Sequence, residues 1–151
     1  MKNLLDAADF LRRARRRLRY GDFSREPLEL LRLEWKGNSL ECDWLMRKAD
    51  PWDVDLPLRV VKENHTFQAL RDALTLRNIV FDSFSGVDSA ELRMFRMDAD
   101  SRPELVLSGS VVRTNEVLER VASIAMRARL CGFRFTQGDG SLRRMTPLGC
   151  S

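Results

Sequence analysis

The stretch Leu28-Glu-Leu-Leu-Arg-Leu-Glu-Trp-Lys-Gly-Asn-Ser-Leu-Glu-Cys-Asp-Trp-Leu-Met-Arg47 decides how the chain is read. Leu31, Leu33 and Trp35 alternate with Arg32, Glu34 and Lys36. After Gly37-Asn38 the alternation resumes with Leu40, Cys42, Trp44 and Met46. A period of two is the mark of a strand, and a glycine–asparagine pair between two such runs marks a two-residue hairpin loop. That loop pairs Trp35 with Leu40, Leu33 with Cys42 and Leu31 with Trp44 on an apolar face. The other face receives Arg32 against Asp43, which attract, and Glu34 against Glu41, which repel. One dry face and one wet face predict an antiparallel sheet covered on one side only.

Working outward, residues 3–20 have the spacing of an amphipathic helix. Leu4, Ala7, Ala8, Leu11, Ala14 and Leu18 recur at three and four residues, Asn3 stands at the N-cap, and Gly21 ends the run. Residues 50–57 hold two prolines and three acids and read as an irregular connection, with Leu58–Val61 as a short third strand. A second helix is predicted over 65–78, capped by Asn64 or Thr66, with Phe67, Leu70, Ala73, Leu74 and Arg77 on one face. Ile79–Phe84 reads either as its last turn or as a buried strand.

Residues 91–97 and 104–112 predict a second hairpin, with Gly109 marking a bulge or a close backbone approach. A third helix follows from Thr114 or Asn115, carries an apolar face from Val117 to Ala128 and stops at Gly132. Phe133–Phe135 is a further strand, turned by Gly138-Asp139-Gly140. The fold class is therefore α+β: a mainly antiparallel sheet of two or three β-hairpins with three helices on it, in the order α-ββ(β)-α-ββ-α-β(β). One domain is expected over 1–145, with 146–151 as a flexible tail.

Length and composition agree with one globular unit. The chain has 151 residues, 44% hydrophobic and 32% charged, enough to bury a core without disulfides. No apolar run reaches the length of a membrane span. Asp6 and Asp9 interrupt the place of a signal peptide's apolar region, and three sparse cysteines fit a reducing compartment, so a cytoplasmic protein is expected.

The formal charge of +4 is uneven. Residues 1–20 carry seven basic groups against two acids, a net +5, and residues 127–151 carry +4; the middle, 21–126, is left at −5. On the first helix, Arg12, Arg13, Arg16, Arg17 and Arg19 lie away from the apolar stripe. That patch is the candidate anion- or partner-binding site, facing phosphate or an acidic protein.

Chemistry-bearing motifs are few. His65 is the single histidine; Cys42, Cys131 and Cys150 lack ligand spacing, and neither Asp98-Ala-Asp100 nor Asp53-Val-Asp55 completes a calcium loop. Gly138-Asp139-Gly140 is no dinucleotide fingerprint, and Ser108-Gly109-Ser110 lies within a strand, away from any strand-to-helix elbow. Hence no catalytic, cofactor-binding or metal residue is expected and no cofactor is implied.

Two resemblances bear on partners. Residues 65–135, where Leu105-Val106-Leu107-Ser108-Gly109-Ser110-Val111 precedes a helix, resemble a BON lipid-binding domain over under half the chain. The full element order is similar to secretion-chaperone-like folds, whose members bind other proteins. The resemblances imply different ligands and neither is adopted. The reading is a non-catalytic binding module. Its first alternative is nucleic-acid binding through the basic helix, and its second a small enzyme with a Cys/His or carboxylate site. An acidic protein or a nucleic acid is the partner class, and a homo-oligomer stays open.

Overall fold

Residues 7–12, 28–48, 56–113 and 123–145 are described in the computed structural model. Residues 7–12 are helical (α1). Strands β1 (Glu29–Lys36) and β2 (Ser39–Leu45) follow, then helix α2 (Leu58–Ser83), strands β3 (Ser89–Met97) and β4 (Pro103–Val112) and helix α3 (Ile124–Leu130). The short strands β5 (Phe133–Arg134), β6 (Gln137–Gly138) and β7 (Ser141–Leu142) complete the order.

The class is α+β with a mainly antiparallel sheet, as the alternation predicts. Strands β1-β2-β3-β4-β5 form one sheet in that order, and β6-β7 form a separate pair. One junction departs from a series of hairpins: β2 and β3 run parallel, Cys42 beside Leu92 and Trp44 beside Met94. Parallel neighbours need a crossover, and α2 supplies it. Its 26 residues span about 39 Å at 1.5 Å per residue, enough to return the chain across the sheet.

α2 corrects two expectations and settles a third that the sequence leaves open between two readings. Leu58–Val61 is its first turn and not a third strand; four residues after a proline are too few for periodicity to separate helix from strand. Pro57 occupies the N-cap with no side-chain hydrogen bond, so neither Asn64 nor Thr66 caps it. At the other end the helix continues to Ser83, because Leu76, Ile79, Val80 and Ser83 keep three- and four-residue spacing and are buried. Arg113, just past β4, takes over the C-terminal carbonyls. Its guanidinium donates to the oxygens of Phe81, Phe84 and Val87 and lies 5.0 Å over the Phe81 ring. A cation there also complements the helix dipole.

The first hairpin keeps the predicted register at its turn: Trp35 faces Leu40, Leu33 faces Cys42 and Arg32 faces Asp43. It slips one residue further on. A bulge between Leu30 and Arg32 sets Leu30, not Leu31, against Trp44, and Leu31 is left 44% exposed. An extra residue in one strand moves the side chains before it to the other face. The Leu30-Leu31 doublet, apolar at two successive positions, offered either phase.

The second hairpin forms as read, from Ser89↔Val112 to Met97↔Pro103. Gly109 is a close approach: a Cβ there would stand 2.6 Å from Cδ1 of Phe133. The third helix is shorter in its described part than the sequence implies. Ser123 has extended φ/ψ of −81° and 124°, and its hydroxyl accepts from the Met126 amide at 3.3 Å, so a helix starts at Ile124. A serine oxygen satisfying a first-turn amide marks an N-cap. The candidate caps Thr114 and Asn115 lie outside the described residues. Gly132, at φ +106°, ends α3 as predicted.

All three helices cover one face of the sheet. Phe10, Leu70, Ala73, Leu76 and Ala128 pack with Leu40, Cys42, Trp44, Leu92, Met94 and Leu107 in a single core. The expected tail, 146–151, lies outside the described residues.

Candidate binding surfaces

The predicted stripe does not hold α1 to the core, since Ala8 is exposed and Leu11 is 37% exposed; among its described residues the buried anchor is Phe10. Phe10 is fully buried, its ring 5.5 Å from that of Phe84, and Phe84 in turn stands edge-on to Trp35 at 5.3 Å. Two residues on, a helix has turned about 200°. Arg12 accordingly points away from the core, with 75% of its side chain exposed and Asp9 3.8 Å behind it. Of the predicted patch, Arg12 is placed in water. Arg13, Arg16, Arg17 and Arg19 lie outside the described residues.

The uncovered face of the sheet carries a ladder of charge. Register aligns Arg32, Asp43, Arg93, Ser108 and Arg134 in one row across five strands. Asp43 accepts from Arg32 Nε at 3.2 Å and from Arg93 Nε and Nη2 at 2.9 and 2.8 Å. The neighbouring row is Glu34, Glu41, Glu91 and Ser110. The Glu34–Glu41 clash expected from register is relieved because Arg32 bonds both carboxylates. Arginine suits this role because its fork reaches several acids at once. The next row begins with Glu29 and continues with the apolar Leu45, Phe95 and Leu105.

Sequence reasoning missed a third feature on the covered side. Arg47, two residues past β2, stands 3.0 Å by Nε from Oδ2 of Asp72, with 1% and 2% of the two side chains exposed. The approach lies off the N–H direction, so it is an ion pair without a hydrogen bond, and Nη1 and Nη2 have no hydrogen-bond partner. Burial pushes Asp72 up from 3.8 to about 6, against the pull of Arg47 and of the Gln68 amide at 2.8 Å. Burial also lowers Arg47. The signal was present: Asp72 falls between Ala69 and Leu76 on the helix face that carries the core.

His65 is the eighth residue of α2, not in its first turn as expected, and its Nε2 meets the Arg47 carbonyl oxygen. Cys42 is buried under the sheet, where desolvation pushes its thiol up to about 12; Cys131 is raised by the same cause. A thiol held protonated is the reverse of an activated nucleophile. Both cysteines are free, and Cys150 lies outside the described residues.

An open cleft of ≈ 540 Å³ runs between the start of α2 and the β6–β7 turn, lined by Leu58, Arg59, Lys62, Glu63, Asp139 and Gly140. Thr66 ties its two walls by donating to the Gly140 carbonyl at 2.7 Å. Two of its charges are already paired, Arg59 Nε donating to Glu63 Oε1 at 3.1 Å. Among the described residues no group of three His, Cys, Asp or Glu side chains is placed to hold a metal ion. No described helix is long and apolar enough to cross a membrane. Comparison with protein-family models, with curated proteins and with solved structures finds no match.

Proposed function

We propose that the protein is a non-catalytic binding module that presents its basic first helix to an anionic partner. The observation that carries this reading is the contrast within α1. Phe10 fixes the helix on the core, while Arg12 on the opposite side stands in water. In sequence, Arg16 and Arg19 follow Arg12 at four and seven residues, the spacing of one helical face, whereas Arg13 and Arg17 follow Phe10 at three and seven. The +5 charge of residues 1–20 adds a long-range attraction for a negative surface. An acidic protein surface is the favoured partner; a nucleic acid is the alternative for the same face.

Fluorescence anisotropy separates the two. The full chain is titrated against a short labelled duplex and against a labelled acidic polypeptide over a range of salt. Binding that weakens with salt and is lost on changing Arg12, Arg13, Arg16 and Arg17 to Gln supports the reading. On the duplex, the salt slope falls by about 0.9 for each phosphate contact removed. On an acidic protein surface the change mainly slows association. Binding to neither probe, or binding that the four-residue variant leaves intact, overturns it.

A further inference from the structure

β1 is the end strand of the sheet. It pairs with β2 alone, and among the described residues no strand runs along its outer edge. Such an edge presents unpaired N–H and C=O groups to any strand that matches it. Leu31 is 44% exposed along it. The side chains here are self-complementary. Reversing the strand about Leu33 sets Arg32 against Glu34. An antiparallel copy therefore meets opposite charge twice, with Leu33 against Leu33 at the centre. A parallel in-register copy meets Arg32 on Arg32 and Glu34 on Glu34, which repel. A two-fold axis normal to the sheet also keeps the faces matched, Arg32 and Glu34 on the wet side and Leu33 and Trp35 on the covered side.

We propose that β1 pairs antiparallel with β1 of a second copy of this chain, giving a two-fold dimer with one sheet continuous through both molecules. The bulge at Leu31 confines the ladder to the few residues around Leu33. The contact is thus small, and the dimer forms reversibly with concentration.

Sedimentation equilibrium of the full chain tests this. The weight-average mass rises with concentration from 17.5 kDa toward twice that value. Glu34→Arg places like charges across the axis and weakens the dimer by about tenfold or more. Adding Arg32→Glu restores the opposite charges and the association. Because Arg32 also serves Glu34, Glu41 and Asp43 within its own chain, Leu31→Lys provides a second disruption at an exposed position, with the fold checked by circular dichroism. A mass that stays at 17.5 kDa at all concentrations overturns the proposal. So does a dimer that folded Glu34→Arg and Leu31→Lys leave unchanged.

Discussion

The two faces of the sheet treat an arginine and an aspartate in opposite ways. On the open face, Asp43 accepts three hydrogen bonds from two guanidinium groups whose outer sides remain in water. Under the helices, Asp72 and Arg47 are both removed from water, they share one ionic contact, and all three guanidinium nitrogens lack a hydrogen bond. In the first arrangement Asp43 is only 6% exposed, but three well-aligned bonds from guanidinium groups that stay partly in water offset its desolvation. The second carries a large desolvation cost with little hydrogen bonding in return, which is why Asp72 is driven up to about 6. Charge by itself therefore says little about stability here; burial and geometry decide it.

The largest expected effect sets the scale. Trp44 and Asp43 are neighbours on opposite faces of β2, and Trp44 is fully buried. Trp44→Ala should cost about 3–5 kcal/mol in urea melts, while Asp43→Asn should cost about 1 kcal/mol because its partners stay hydrated. Equal costs would erase the difference between the faces.

Arg47→Met should come next, near 3 kcal/mol at neutral pH, because it strands a buried carboxylate. The pH dependence has a definite sign. With Asp72 near 6 in the folded chain against an ordinary 3.8, the native state holds a proton that the unfolded chain has released between those values. This group thus adds stability as pH falls from above 6 toward 4 and withdraws it as pH rises. Without Arg47 the carboxyl is pushed higher still, so the cost of Arg47→Met should shrink at pH 5. Urea melts at pH 7 and pH 5 read this, and a cost that grows on acidification would contradict the assignment. The paired change Arg47→Met with Asp72→Leu should recover most of the loss, since a buried ion pair is often no better than an apolar pair of similar volume.

Arg93→Met on the open face should cost only about 1 kcal/mol, since Asp43 keeps its bond from Arg32. A loss as large as that of Arg47→Met would mean that the open face is desolvated, for instance by a bound partner.

The sheet was legible where alternation was strict. Leu33 to Cys42 follows from period two, the second hairpin was legible over 91–97 and 104–112 without its register, and Gly132 and Gly109 act as a helix stop and a close approach because no side chain fits there. The reading lost its phase at Leu30-Leu31, where two adjacent leucines allow either face. It lost the ends of α2, where Leu58–Val61 and Ile79–Phe84 are too short to show a period on their own. The parallel β2–β3 pairing is a long-range choice that no local pattern records. The Arg47–Asp72 pair joins residues 25 positions apart; Asp72 was visible only as an acid on an apolar helix face, and nothing near Arg47 marked it as buried. The basic patch was legible as charge, and its position on the fold is fixed by Phe10 and Arg12 alone.

If the first helix keeps its basic face for a partner, the fold should not need that face. Changing Arg12, Arg13, Arg16 and Arg17 to Gln opens no cavity, and each exposed ion pair with the acidic middle of the chain contributes at most about 1 kcal/mol. A thermal melt of this variant beside the unaltered chain at neutral pH is the direct measurement. The melting temperature should move by no more than about 4 °C, with the cooperative transition intact. An unfolded variant, or a shift several times larger, would show that the arginines neutralise residues 21–126 within the molecule and are not held for a partner.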